Sequence, residues 1–292
     1  MKLRLSTPAD VPALRALWAL AFGDSGPYLD NFFDNYYRPH RMIVLEREGE
    51  VLSMTAWFDT DFVVPGRGTY RAAYLYAVAT HPACRGEGLS GAVLAWADHY
   101  FRALGIPVVT TVPAEPSLHR FFGANGFGEC FVTAEREVEV ASLPAAGEPL
   151  LRPVGTEEYG RLREELLSDI PHIAYPADTL TYQAGCCAIS GGGLFAADTP
   201  AGPVLLCAEG AGDGLVFLKE LLGCATAERL ILPDLPRLVP ARKYCLRTPL
   251  TGGEHTDPAK EFGMIKWLAE PPKTLRAGVF FPSSPYLGLA FD

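Results

Sequence analysis

Arg85, Gly86 and Gly88 stand together in the stretch VATHPACRGEGLSG, between an apolar run ending at His81-Pro82 and a segment, GAVLAWADHYF, with helical spacing. Glycine has no Cβ, so the backbone there can take unusual angles and come close to a ligand. A helix start leaves free N–H groups and a partial positive charge. Together these suit an anion such as a pyrophosphate, and Arg85 adds a fixed positive charge at the rim. The loop is no Walker sequence, because the lysine and the Ser/Thr ending are missing. It is no Rossmann fingerprint either, since GEGLSG lacks the third glycine at the required spacing. Taken alone, the loop also reads as a tight strand–helix turn whose glycines serve geometry.

Periodicity predicts the elements that must position this loop. KLRLS (2–6) is a short strand. Ser6 or Thr7 then caps a helix with Pro8 and Asp10 in its first turn, Val11, Leu14, Leu17, Trp18 and Phe22 at helical spacing, and Gly23 at its end. PYLDNFFDNYYRP (27–39) is a second helix whose aromatic face reads as core more readily than as a substrate pocket. RMIVLERE and EVLSMTAWFDTDFVV flank Gly49 as a hairpin, and TYRAAYLYAVAT (69–80) is a long apolar strand. Residues 88–104 form a helix, IPVVTTV (106–112) a buried strand, SLHRFFGA (117–124) a short helix and GFGECFVTAEREVEV (126–140) a strand. The order β-α-α-β-β-β-α-β-α-β predicts a mixed sheet with helices on both faces.

ASLPAAGEPLLRP (141–153) reads as a linker and divides the chain into residues 1–142 and 150–292. The second part is less periodic. GTEEYGRLREELLSD (155–169) predicts a charged helix, and GGGLFAAD and GPVLLCAEG two strands. DGLVFLKELLG (213–223) predicts a helix ended by Gly223, ERLILPDL (228–235) a strand and FGMIKWL (262–268) another strand. This order resembles the middle of the first half, as after a divergent duplication, with no residue-level repeat. The cluster Ser190-Gly191-Gly192-Gly193 precedes a strand, so it is no phosphate cradle.

The formal net charge of −9 over 292 residues repels a phosphate backbone, so nucleic acid is not expected as a partner. An acidic surface attracts cationic small molecules instead. The seven cysteines form no CxxC pair, and Cys186-Cys187 are badly spaced for a shared zinc, so reduced, mostly buried thiols and no metal are expected. MKLRLSTPAD lacks the apolar core of a signal peptide, and no run approaches the ~20 apolar residues of a membrane span. A cytoplasmic protein without membrane contact is the expectation.

The run VATHPACRGEGLS resembles motif A of the GNAT superfamily, the acetyl-CoA-dependent N-acyltransferases. That motif reads V-x-P followed by [RQ]-x-x-G-x-[GA]. Arg85, Gly88 and Ser90 stand at its defining places, with Ser for the usual small residue. PAEPSLHRFFGANGF (113–127) resembles motif B, and the likeness covers roughly residues 1–140. The resemblance implies that Val78, Ala79 and Thr80, at the end of the strand, hold the pantetheine and acyl group through the backbone. It implies that the amides of Arg85, Gly86, Glu87, Gly88, Leu89 and Ser90 bind the pyrophosphate, and that Phe122 lies beside the cofactor. The sheet would splay after that strand to admit the cofactor arm. Transfer would be direct: an amine attacks the thioester, a base takes the amine proton and an acid protonates the leaving thiolate.

The sequence departs from the family at the acid. Many members carry a tyrosine where this chain has Phe122, which cannot donate a proton. Tyr76, with Tyr74 on the same strand face, is one candidate and otherwise core packing. His119, one turn before Phe122, carries an imidazole that can serve as acid or base and is otherwise an exposed helix histidine. Glu115 is a candidate base or amine anchor and otherwise a helix-capping charge. A looser resemblance, to the two-domain enhanced-intracellular-survival acetyltransferases, adds Asp292 as a terminal base carried by the apolar tail YLGLAF. Their third, sterol-carrier-like domain has no room here.

The expected fold is therefore α/β with a mixed sheet: a GNAT acyl-CoA N-acyltransferase domain over 1–142, then a degenerate GNAT-like domain over 150–292 that walls the acceptor pocket or mediates homo-oligomer formation. The expected function is N-acetyl transfer from acetyl-CoA to a small cationic amine. Acyl-CoA binding without turnover and peptide or protein N-acetylation are the other readings.

Overall fold

The computed structural model describes residues 1–24, 26–250, 258–271 and 284–291. From the N-terminus the chain forms β1 (Lys2–Leu5), α1 (Val11–Phe22), α2 (Gly26–Asp30), which widens into a π-helical turn over Asn31–Tyr36, β2 (Met42–Arg47), β3 (Glu50–Val64), β4 (Gly68–Thr80), α3 (Leu89–Ala103), β5 (Val108–Thr111), α4 (Pro116–Ala124) and β6 (Gly128–Glu139). This is the order that periodicity predicts. Local chemistry fixes the entry to α1. The Thr7 amide donates to Asp10 Oδ2 at 2.7 Å, and two guanidinium nitrogens of Arg4 grip the same carboxylate at 2.7 and 2.8 Å. Gly23, at φ 75°, ends the helix.

The rest comprises β7 (Arg152–Pro153), α5 (Thr156–Leu166), β8 (His172–Ala174), α6 (Ala177–Ile189), β9 (Gly193–Thr199), β10 (Gly202–Gly212), β11 (Leu215–Leu222), α7 (Ala225–Ile231), α8 (Leu235–Leu238), β12 (Lys243–Pro249) and β13 (Ala259–Trp267). Two expectations are reversed here. DGLVFLKELLG is a strand, because β11 lies between β10 and β12 and is buried almost throughout. A continuous apolar run of this length suits a buried strand as well as a helix. ERLILPDL is the second half of α7 and the turn into α8; Ala227, Glu228 and Ile231 of α7 turn inward at helical spacing.

Among the described residues thirteen strands join one sheet in the order β1-β2-β3-β4-β5-β13-β6-β12-β11-β10-β9-β7, with β8 against β3. Each half repeats one plan: a long antiparallel pair, a helix, then a strand parallel to the last (β3-β4-α3-β5 and β10-β11-α7-β12). The halves then exchange their following strands. β13, from the second, lies against β5, with Met264 opposite Thr111. β6, from the first, lies against β12, with Arg136 opposite Leu246.

One face of the first half carries α3, whose Val93 and Phe101 pack with Ile43 and Trp57 of the sheet. The opposite face is a core shared by both halves, where Leu14, Trp18 and Phe32 meet Tyr182, Leu205 and Phe291. α6 approaches the π-helical turn through Gly185, where any Cβ would collide with Asn31; the Asn31 amide donates to the Tyr182 carbonyl at 2.9 Å. Residues 284–291 are held from the second half. Tyr175 Oη donates to the carbonyls of Leu287 and Leu289 at 2.9 and 2.8 Å, and Lys219 Nζ to that of Ala290 at 2.9 Å. Among the described residues no helix is long and apolar enough to cross a membrane.

Candidate active site

β4 runs to Thr80, but β5 pairs with it only from Ala72 to Tyr74. Beyond that point the two parallel strands part. On its other edge β4 stays paired with β3 and carries a bulge: Ala56 faces Tyr76, and Met54 faces Ala79. Within the bulge Ala77 sits at φ 51°. A left-handed residue other than glycine costs about 1–2 kcal/mol, so tertiary structure holds this distortion in place. The result is an open edge of β4 facing a cleft.

The RGEG loop lies where β4 ends. Gly86 and Gly88 take φ 82° and 79°, and a Cβ on either would meet nothing within 4 Å. They are glycines for backbone angle, and the space above them is free. Gly88 caps α3, whose 15 residues begin at Leu89. The unpaired amides of that helix start border a hollow of about 320 Å³ lined by Thr80, Arg85, Gly86, Gly88, Ser90 and Phe121. Thr80 Oγ1 and Ser90 Oγ lie 2.6 Å apart and tie strand to helix. The carboxylate of Glu87, the loop's negative side chain, accepts from Arg47 at 2.8 Å. These features fit a pyrophosphate: free N–H groups, a helix start, an arginine at the rim and no bulk above the backbone.

A second cavity of about 510 Å³ opens at the splay, with Val78, Leu118 and Phe122 on its wall. Successive residues of α4 thus serve the two hollows, Phe121 the first and Phe122 the second. The second cavity is also lined by Trp18, Tyr28 and Tyr76 from the first half and by Tyr182, Glu209 and Lys219 from the second. Tyr76 Oη and Tyr182 Oη lie 3.1 Å apart, and burial pushes both phenols well above the usual tyrosine range. Glu209 Oε2 accepts from Gln183 Nε2 at 2.9 Å and lies 3.5 Å from Lys219 Nζ. Burial, and then the nearby Glu209 charge, raise the Tyr28 phenol. At the mouth, Asp24 Oδ2 accepts from Trp18 Nε1 at 2.7 Å.

The residues singled out in the sequence divide clearly. Thr80, Arg85, Gly86, Gly88, Leu89 and Ser90 line the first hollow; Val78, Tyr74, Tyr76 and Phe122 line the second. Ala79 lies on β4 between them, its carbonyl accepting from Ser53 Oγ at 2.8 Å. Phe122 packs against Phe121 and Phe127 at ring distances of 5.2 and 5.5 Å. Glu115 and His119 stand outside both cavities. Glu115 is the residue before α4, exposed, accepting from Ser117 Oγ at 3.3 Å. The His119 ring bonds to Glu129 at 2.8 Å on the surface. Asp292 lies outside the described residues, whereas its neighbour Phe291 is on the cavity wall. Sequence reasoning missed Asp24, Tyr182, Gln183, Glu209 and Lys219. The lysine set inside the apolar run LVFLKELL is the one signal that could have drawn notice to its strand.

Residues 2–127 match the model of the acetyltransferase (GNAT) domain. No curated protein matches the chain at a significant level. Solved structures with similar folds include Eis1 from Mycobacterium abscessus (TM-score 0.66, 13% identity, 92% of this chain and 74% of Eis1). A GCN5-related N-acetyltransferase from Kribbella flavida matches with TM-score 0.67 and 19% identity over 91% of this chain and 70% of its own. Another, from Sphaerobacter thermophilus, matches with TM-score 0.54 and 14% identity over 91% and 95%. At these identities the likeness is one of fold.

Proposed function

We propose, from the match of residues 2–127 to the acetyltransferase (GNAT) domain, that the chain is an acetyl-CoA-dependent N-acetyltransferase that acylates a small amine by direct transfer. The observation that carries this reading is the succession, along β4, of an open strand edge and then a glycine loop at a helix start.

Acetyl-CoA, when bound, supplies an acyl group activated as a thioester. The amides from Gly86 to Ser90 hold the pyrophosphate, with Arg85 screening its charge. The backbone at Val78 and Ala79 orients the pantetheine arm. Phe121 and Phe122 give it an apolar wall and keep water from the thioester. Tyr76, kept protonated by burial, is a hydroxyl on β4 placed to donate to the departing sulfur. Asp24 and Glu209 are the carboxylates on the described cavity wall that can take the amine proton. The net charge of −9 supports a positively charged acceptor, and seven free thiols support a reducing compartment, the cytoplasm.

Phe122 favours a second reading, an acyl-CoA-binding protein without turnover, because the family's usual hydroxyl is missing there. Calorimetric titration with acetyl-CoA, followed by thiol release across a panel of amines, separates the two. Binding with release establishes transfer; binding without release on any amine favours the second reading; absence of binding overturns both.

A further inference from the structure

We propose that the acceptor is an arylalkylamine, a single primary amine on a short chain from an aromatic ring. This rests on the acyl-transfer reading of the same cavity and narrows its substrate class. Aromatic side chains crowd the cavity wall, among them Trp18, Phe22, Tyr28, Tyr76, Tyr182 and Phe291. They come from α1, α2, β4, α6 and residues 284–291, so both halves converge to build an aromatic chamber. Their rings meet edge to face: Trp18 and Tyr76 at 5.3 Å and 72°, Tyr76 and Phe291 at 6.0 Å and 70°. A further ring enters such a lattice with favourable geometry, each aromatic pair adding about 0.5–1.5 kcal/mol beyond burial. At the mouth, Phe22 is 46% exposed, an unusual place for a large apolar side chain, and Asp24 stands two residues on. An apolar entrance beside one carboxylate suits a ring-bearing cation.

A polyamine or aminoglycoside needs a carboxylate to offset the charge of each ammonium it brings out of water. The described wall offers two carboxylates, and Glu209 is already engaged by Gln183 and Lys219. Asp24 attracts the ammonium, the aromatic faces steady it, and transfer of one proton to a wall carboxylate, and from there to solvent, frees the nitrogen lone pair. The C–N bond then forms as the thioester C–S bond breaks, and the proton given up by nitrogen is matched by one taken up at sulfur.

The test compares phenethylamine, spermidine and kanamycin as acceptors with acetyl-CoA, read by thiol release, alongside acetyl-CoA binding by calorimetry. The expected result is a kcat/KM for phenethylamine at least about tenfold above either polycation. Phe22→Ala, at the half-exposed C-terminal end of α1, is expected to raise KM for phenethylamine about fivefold and leave acetyl-CoA affinity unchanged. Equal or better turnover of spermidine or kanamycin, or an unchanged KM in Phe22→Ala, overturns the proposal while acetyl-CoA binding leaves the acyl-transfer reading standing. Failure of acetyl-CoA to bind overturns that reading, and the proposal with it.

Discussion

Tyr76 and Tyr182 meet oxygen to oxygen at 3.1 Å, one hydroxyl from the strand that leads to the glycine loop and the other from a helix of the opposite half. The pair joins the cofactor side of the cavity to the acceptor side. Removal of the Tyr76 hydroxyl in Tyr76→Phe is expected to lower kcat about 10²-fold without changing acetyl-CoA affinity. Tyr182→Phe, which acts through Tyr76, is expected to cost less, and the double variant no more than Tyr76→Phe alone. Steady-state kinetics on the three proteins check this; additive losses would show two independent roles.

Burial raises the Tyr76 phenol above its ordinary value, so its proton is present throughout the neutral and moderately alkaline range. The kcat–pH profile should therefore show no descending limb from this group below about pH 10. A limb below that value which disappears in Tyr76→Phe would contradict the assignment.

At the loop, Arg85→Glu reverses a charge beside the pyrophosphate site and should raise the Kd for acetyl-CoA about 10- to 100-fold, an effect weakened by salt. Gly88→Ala acts by another route: φ 79° is retained only with strain, about 1–2 kcal/mol for a residue with a Cβ. Calorimetry should show weaker binding in both, and thermal melting a lower Tm only in Gly88→Ala.

Cys186 lines the cavity, but burial pushes its thiol up to about 12. Its thiolate fraction at pH 8 is on the order of 10⁻⁴, so alkylation by iodoacetamide should be slow despite the open wall. Peptide mapping by mass spectrometry gives the rate; labelling within minutes would refute a buried neutral thiol.

Arg4 holds the Asp10 carboxyl at about 2, below its ordinary 3.8. A depressed folded-state value means stability that is complete above the unfolded value and lost as pH falls towards the folded one. The Tm of the protein should thus exceed that of Asp10→Asn at neutral pH, and the gap should close between about pH 4 and pH 2. A gap independent of pH would mean the ion pair contributes nothing.

The legible parts of this fold were those that local sequence specifies. α1 carries its own cap at Thr7 and Asp10 and its own apolar period, and the RGEG loop announces itself through glycine and arginine in one short stretch. The acceptor wall is a different matter. Tyr182, Gln183 and Cys186 lie on the buried face of α6, but that face also carries the polar Thr179 and Gln183, so the helix shows little amphipathic period in its sequence. Lys219 and Glu220 interrupt an apolar strand and are tolerated because Ala290 and Arg163 meet them from far along the chain. The position of β13 depends on pairings such as Met264 with Thr111, which no local pattern encodes.

The exchange of β6 and β13 has a consequence for how the molecule is made. β5 is complete at Thr111, yet its second neighbour begins only at Ala259. While a ribosome adds the residues between, the growing chain carries an unpaired strand edge in the middle of its future sheet, open to neighbouring nascent chains and to chaperones. Pairings this distant in sequence also close slowly. A message broken before codon 259 therefore yields a chain with that edge unfilled, inclined to aggregate, and the yield of active protein should depend on chaperone supply more than on the temperature at which the finished molecule melts.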